Sequence, residues 1–486
     1  MVYHKGVVDY GKIDLSKASR EELLALIAQQ ATLIAELQAR VKALEAQLAR
    51  DSHNSHRPPS TDHSRRRTKS LRHPSGKKPG GQPGHPGQTL CLVDAPDHLV
   101  EHRPQACASC GTTLPDSAPR EVERRQVVDL PPLRLEVTEH QVHRVSCPNC
   151  GHTTSGSFPA DVTQLVQYGP RLQALVVYLL AYQLLPYERT QQMVSDLFGV
   201  APSPGTFETM VERCAAELVE PEAQIKRAII KAEVAHFDES GFYIAGERRW
   251  LHVASTPRLT YYAAHRNRGK VATDKVAILP TFSGYAIHDA WSAYLAYKVC
   301  RHGLCNAHHL RELTFLEEQE SQRWAKTMRL LLLWAKRRVD EAKRAGKSHL
   351  DARTRQVIEQ RYQRILVVGF RLNPPPAGPR PPGQRGPRKQ TKARNMLERL
   401  QNHQDAVLAF VDDFRVPFDN SLAERDIRML KLKQKISGCF RSEHGADAFC
   451  RIRGYLSTLR KQAVPMLAAL DRALRGNPLT PALSPV

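Results

Sequence analysis

"VAHFDESGFYI", residues 234–244, reads as an apolar strand with an acidic pair, Asp238 and Glu239, set into it. A carboxylate in a half-buried strand is costly unless a proton, a cation or a donor compensates it. Two β-rich runs follow, "RRWLHVAST" (248–256) and "LTYYAAH" (259–265), divided by short turns, so a meander of hairpins is predicted. "TDKVAILPTF" (273–282) predicts a helix, and "GYAIHDAW" (284–291) a fourth strand ending at Asp289. A Leu/Arg/Glu-rich helical block then runs from about Leu310 to Val368. A proline-rich, basic stretch at 373–394 reads as an exposed loop.

In "FRVPFDNSLAERDIRMLKLKQKISGCFRS" (414–442), a helix can begin after Pro417, with Asp419 or Asn420 as its cap. Ala423, Ile427 and Leu430 form its apolar stripe. Glu424, Arg428, Lys431 and Lys435 line a second stripe, an acid heading a basic row. Taken alone, that row is also what a solvated face with internal salt links looks like. Together with Asp238 and Asp289 it fits an RNase H-like order of elements: three meander strands, a helix, a strand, then a late helix. The acids are 51 (289 − 238) and 135 (424 − 289) residues apart. Three carboxylates converging on one sheet edge repel one another unless hard divalent cations neutralise them, and Mg2+ (or Mn2+) is the natural choice. Glu239 should point to the opposite face, Asp274 should cap a helix, and Asp426 lies on another face than Glu424.

The rest of the chain points to a polyanionic partner. In 486 residues, 71 lysines and arginines face 49 acids, a net charge of +22, and 41% of residues are hydrophobic. No segment approaches a membrane span and the N-terminus lacks an apolar signal core, so a cytoplasmic location is expected. "SREELLALIAQQATLIAELQARVKALEAQLAR" (19–50) opens with a Ser19/Glu22 capping box and repeats apolar residues at heptad spacing from Leu23 to Leu48. It predicts a coiled coil, against an amphipathic helix folded back on its own domain. Eight Lys/Arg against one acid between Arg57 and Lys78 describe a basic tether. "CASCGTTL" and "CPNCGH" place Cys107, Cys110, Cys147 and Cys150 in two CxxC knuckles, a strong zinc-ribbon spacing for a closed, structural Zn2+ site. Alternating apolar residues in "RRQVVDLPPLRLEVTEHQVHRV" (124–145) predict strands between the knuckles. A helical stretch near 168–217 reads either as a helix-turn-helix, with Thr206, Glu208 and Thr209 facing a groove, or as a plain helical bundle. "CRHGLCNAHHL" (300–310) holds enough cysteine and histidine for a second zinc, but its spacing matches no paired knuckle. Trp291 and Tyr294 read as core aromatics sooner than as base-stacking groups.

The chain resembles the insertion-sequence-66 transposases of the DDE group. The matching motifs are "HNSHRPPS" (53–60), "GGQPGHPG" (80–87), both CxxC knuckles, "LPYERTQQMVSDLFGV" (185–200), "FDESGF" (237–242), "HDAWSAY" (288–294), "LCNAHHLREL" (304–313) and the 417–442 block. Ser240 stands where that family more often has threonine. The resemblance implies Asp238, Asp289 and Glu424 as metal-binding catalytic acids, zinc on the four cysteines, and binding to a transposon's terminal inverted repeats. The Cys305-x-x-His308 pair resembles a motif after the second aspartate in several DDE lineages, read as packing or active-site support. The expected fold class is a multidomain α+β chain: a coiled-coil helix (1–50), a basic Gly/Pro-rich linker (51–105), a zinc ribbon (106–160), a helical HTH-like module (161–225), an RNase H-like catalytic domain (226–470) with a helical insertion at about 310–400, and a tail (471–486). The expected function is repeat binding with metal-dependent cleavage and strand transfer into target DNA. Expected partners are those DNAs, further copies of the chain assembled on them, and accessory proteins of the element. The alternatives are a zinc-containing DNA-binding regulator without catalysis and an RNase H-like structure-selective nuclease.

Overall fold

The computed structural model describes residues 19–55, 84, 90–116, 122–376 and 390–483. The basic run from Arg57 to Lys78 and most of the proline-rich loop (377–389) lie outside them. The chain divides into two compact units, one of residues 1–71, 168–190 and 203–486, the other of 72–167 and 191–202. Among the described residues no helix is long and apolar enough to cross a membrane.

In the larger unit, α1 (Arg20–Leu48) starts at the expected box: the Ser19 amide donates to Glu22 Oε2 at 2.8 Å and the Glu22 amide to Ser19 Oγ at 3.3 Å. None of its residues is buried, and its heptad positions, Ile34 and Val41 among them, lie open. Helices α2 (Pro170–Val177), α4 (Pro204–Glu217) and α5 (Val219–Ile230) lead to the sheet, whereas α3 (Tyr187–Phe198) has only its first four residues in this unit and the rest in the smaller one.

The smaller unit contains β1 (Arg144–Ser146) and β2 (Thr153–Ser155), a short antiparallel pair. The strands expected across 124–145 are otherwise missing: residues 122–143 form no ladder, and Val127 and Val137 are more than nine-tenths exposed. Alternation encodes a strand only where a partner supplies hydrogen bonds and a covered face, and Pro131 and Pro132 withdraw two of the donors.

Three runs form an antiparallel meander, β3 (Val234–Ile244), β4 (Glu247–Ser255) and β5 (Thr260–His265). After α6 (Lys270–Val276), strand β6 (Tyr285–His288) returns beside β3 in parallel, and beyond α7 (Ser292–Leu295) comes β7 (Arg301–Leu304), giving the order β5-β4-β3-β6-β7. The motifs had not announced β7: four residues with a central glycine carry too little pattern, and parallel pairing leaves no turn signal. Gly284 lets β6 start tight against β3, since a Cβ there would sit 2.4 Å from the Ala232 carbonyl oxygen.

Strand period sorts β3 between two cores. Ala235 and Phe237 pack with Ile225 and Ile229 of α5 and with Phe282, whereas Phe242 and Ile244 face the other way. That second face is covered by α13 (Ser421–Ser437) and α14 (Glu443–Lys461), through Ala423, Ile427 and Leu430, the stripe read from sequence. Helices α8 (Asn306–Glu320), α9 (Arg323–Arg344), α10 (Ala352–Leu372), α11 (Lys392–Asn402) and α12 (Gln404–Asp412) form a third core beside β6 and β7. After α15 (Met466–Leu474) the chain runs back along α14, where Tyr455 donates to the Leu479 carbonyl and Gln462 exchanges two hydrogen bonds with Ala482.

Candidate functional site

Parallel register aligns His236 with Ile287, so two residues further on Asp238 of β3 stands opposite Asp289, just past the end of β6. Asp238 shares the β3 face of Phe242 and Ile244, the side that α13 covers, and Glu424 lies in the first turn of α13. Burial pushes the Asp238 carboxyl well above its usual range, and the charges of Glu239, Asp289 and Glu424 push the same way. One donor opposes them, the Glu239 amide at 2.9 Å from Asp238 Oδ1. Among the described residues neither Asp238 nor Asp289 forms an ion pair, and Asp289 Oδ1 accepts from the Trp291 amide at 3.0 Å. Asp289 and Glu424 are each within electrostatic reach of Asp238, but the three acids do not gather within 4.8 Å. An oxygen-only set of this kind, short of cations, fits a hard divalent ion.

The hinge of the site is a residue that sequence reading offered only as a cap. Asn420, 1% exposed, is the N-cap of α13. It accepts from His236 Nδ1 at 2.9 Å, donates to the Phe237 carbonyl at 2.8 Å, and gives its backbone amide to Cys305 Sγ at 3.1 Å. Its own carbonyl takes the Glu424 amide at 3.2 Å. One residue, through side chain and backbone together, therefore ties β3, the start of α8 and the start of α13, and so sets where Glu424 stands relative to Asp238. His236 is held neutral by burial, its pKa pushed down to about 4. On the other flank, the Ala290 amide donates to His288 Nδ1, which fixes a His288 Nε2–H donor to His302 Nδ1 at 2.9 Å and a His302 Nε2–H donor to the Tyr297 carbonyl at 2.8 Å.

The other acids have separate work. Glu239 does face away: its buried carboxylate takes Arg268 at 2.7 Å and the Tyr294 hydroxyl. Burial raises its pKa, against those two donors. Asp426 accepts from Ser255, Thr260 and Lys461, locking α13 to β4, β5 and α14. Asp274 is not the expected cap: it lies inside α6, where Lys270 at 2.7 Å and the Tyr297 hydroxyl at 2.6 Å hold its carboxyl below the usual range. Gly269 takes the cap position, so a side chain one turn in is free for those partners. Tyr294 is core, as expected, whereas Trp291 is half-buried beneath the Arg268 guanidinium at 4.3 Å. Arg268 also lies over Trp250 at 5.0 Å and Arg248 over Trp250 at 4.7 Å, an alternating arginine–indole row. The spacing of Arg248, Trp250, Arg268 and Trp291 along the chain gave no hint of it.

Arg428, Lys431 and Lys435 are exposed along α13, with Lys431 Nζ donating to the Gly241 carbonyl at 2.8 Å. On α4, Ser203 caps the helix by accepting from the Thr206 amide at 3.2 Å, and the exposed Thr209 hydroxyl donates back to Gly205 at 3.1 Å.

The knuckles are built alike. The Cys107 and Cys147 amides donate to the Thr112 and His152 carbonyls at 2.8 Å each, and Gly111 and Gly151 turn the chain at φ +73° and +72°. Hydrogen bonds from Thr112 first, then from Cys107, hold the Cys110 thiol down at about 7, and the amides of Cys150 and Asn149 lower Cys147. Such thiols are ready to ligate. Each pair is close, but no third ligating atom joins either pair within 4.8 Å among the described residues.

Comparison with known families bears on all of this. Residues 166–448 match the transposase IS66 family, residues 104–151 the zinc-finger binding domain of transposase IS66, and residues 13–90 a family of unknown function (DUF6444). No curated protein matches the chain. The first match takes in β3 to β7 and α13, and the second spans all four knuckle cysteines, so the chain belongs to the IS66 family of transposases.

Proposed function

We propose that this transposase binds the terminal inverted repeats of its element and cleaves and joins DNA strands with Asp238, Asp289 and Glu424 as catalytic acids on an RNase H-like sheet. The observation that carries the reading is Asp238, within β3, standing opposite Asp289 just past the end of the adjacent parallel strand β6, with Glu424 bearing on Asp238 and, among the described residues, no basic side chain paired to either aspartate. Bound by these oxygens, Mg2+ or Mn2+ would supply Lewis-acid polarisation of the scissile phosphate and charge neutralisation. The chain's own part is placement. Asn420 holds Glu424 against β3, Arg268 and Tyr294 keep Glu239 turned away, and the Trp291 amide orients Asp289. Arg428, Lys431 and Lys435 would contact phosphates along α13, and the Arg248–Trp250–Arg268–Trp291 row offers guanidinium and indole faces to a strand beside the acids. The first displacement puts water on phosphorus and releases a 3′-hydroxyl. The second puts that hydroxyl on a phosphorus of target DNA and breaks the bond from that phosphorus to the target's own 3′-oxygen, which leaves as a 3′-hydroxyl, so no covalent protein–DNA bond is required.

Recognition is assigned to the α3–α4 region, with Thr209 exposed and Thr206 half-buried on α4, and to the zinc-finger unit with Zn2+ on Cys107, Cys110, Cys147 and Cys150. Copies of the chain would pair through the open heptad seam of α1 when assembled on DNA. The test is cleavage of end DNA in Mg2+. Asp238→Asn should lose cleavage by on the order of 10^3-fold while retaining repeat binding. Absence of nicking in wild type would favour a DNA-binding regulator, and nicking without joining of a pre-cleaved end a nuclease.

A further inference from the structure

Glu424 has neighbours that the carboxylate set does not explain. Cys305 Sγ lies 3.8 Å from Glu424 Oε1, and His308 Nδ1 lies 3.6 Å from the same oxygen. One ligand atom from each of Cys305, His308 and Glu424 falls within 4.8 Å of the others, and among the described residues no other trio of histidine, cysteine or acidic side chains does so. A tetrahedral zinc ion, with bonds of about 2.3 Å to sulfur and about 2.0–2.2 Å to nitrogen and oxygen, would set such atoms about 3.4–3.6 Å apart. The two contacts to Glu424 therefore need to close by only a few tenths of an ångström, and the sulfur and imidazole nitrogen already lie within 4.8 Å of each other.

We propose that Cys305, His308 and Glu424 form a second metal site, suited to a borderline ion such as Zn2+ and not to Mg2+, which shares Glu424 with the catalytic acids. The backbone prepares it. Cys305 is the N-cap of α8 and His308 lies one turn on, so both project from the start of one helix, while Glu424 comes from the start of α13. The Asn420 amide points at Cys305 Sγ from 3.1 Å, the donor that a ligating thiolate wants. Cys305 is 1% exposed, but the His308 and Glu424 side chains are 16% and 30% exposed, which leaves an entry path and an open fourth position. A sulfur–nitrogen–oxygen set discriminates strongly against magnesium, which takes oxygens in octahedral array. Binding expels one proton, from the Cys305 thiol to solvent. The ion engages Glu424 and withdraws it from Asp238 and Asp289, so zinc opposes magnesium at the reaction centre. That consequence rests on the catalytic reading above; the site itself does not.

The test separates the two. Full-length protein is stripped with chelator, dialysed against Zn2+, and its bound zinc counted by mass spectrometry. Cys305→Ser and His308→Ala should each hold one zinc fewer than wild type, and Cys107→Ser with Cys147→Ser should lose a different one. An equal count in wild type, Cys305→Ser and His308→Ala overturns the site, whatever the protein does to DNA. His308 is the less buried of the two, so His308→Ala decides the matter if Cys305→Ser fails to fold. Added to Mg2+-supported cleavage, Zn2+ should suppress wild type at a concentration at least about tenfold below that needed for His308→Ala. Equal zinc sensitivity overturns the sharing of Glu424.

Discussion

Asp238, Asp289 and Glu424 come from three elements of one packed sheet-and-helix unit, whereas Cys107, Cys110, Cys147 and Cys150 sit on two turns joined by a stretch without a covered face. The acids are far apart in sequence, yet β-register and the Asn420 link bring them together with apolar cores on both sides of the sheet. The cysteines are near one another in sequence, but with Val127 and Val137 open to solvent no buried apolar residue among the described ones draws the two turns together. The acids are brought near one another by burial, and the cysteines, in the zinc reading, must be assembled by their ion. Burial builds the first at a cost, since a desolvated Asp238 among other acids opposes folding until it is neutralised.

The sharpest way to break this contrast is to remove zinc. Structural zinc contributes on the order of 10 kcal/mol in small fingers. Chelation should therefore abolish amide-exchange protection around both knuckles and leave β3 and β6 unchanged. A uniform loss of protection in both units, or none, would contradict the distinction. The next largest effect falls on the acids. Asn420→Ala leaves His236 Nδ1–H and the Phe237 carbonyl without partners in the core, a cost of about 4 kcal/mol in thermal or denaturant unfolding. Cleavage should fall more than repeat affinity does, because the lost contact positions Glu424 and touches no DNA. The smallest effect is acid sensitivity. Burial pushes His252 down to about 4 from an ordinary 6.5, and its Nδ1 has no hydrogen-bond partner among the described residues. The unfolded chain therefore takes up the proton first: the stabilisation is complete above about pH 6.5 and fades as pH falls toward 4, by no more than about 3 kcal/mol. His252→Gln should flatten that part of the stability profile, and an unchanged slope would show that other buried groups govern it.

What sequence made legible followed period and local chemistry. The β3–β5 meander, the Ser19/Glu22 box, the α13 stripe and the opposed faces of Asp238 and Glu239 all come from repeats of two or 3.6 residues and from short-range caps. What stayed hidden depended on contacts between distant segments. Asn420 was visible as a helix cap but not as the link from β3 to Cys305, and neither Glu424 near His308 nor Arg268 over two tryptophans leaves a local pattern. Residues 124–143 misled in the opposite direction, since alternation there met no partner strand among the described residues.

The bond from the Asn420 amide to Cys305 Sγ joins residues 115 apart and closes the helical block of α8 to α12 at its neck. Because entry and exit are pinned side by side, the excursion between them can lengthen or shorten at little entropic expense, each doubling of a flexible loop adding only about 0.6 kcal/mol. The neck is thus a graft point: foreign sequence spliced into the block, between α10 and α11 for instance, should leave the geometry of the acids untouched, whereas an insertion of one residue between Asn420 and Glu424 would turn the carboxylate away from its partners.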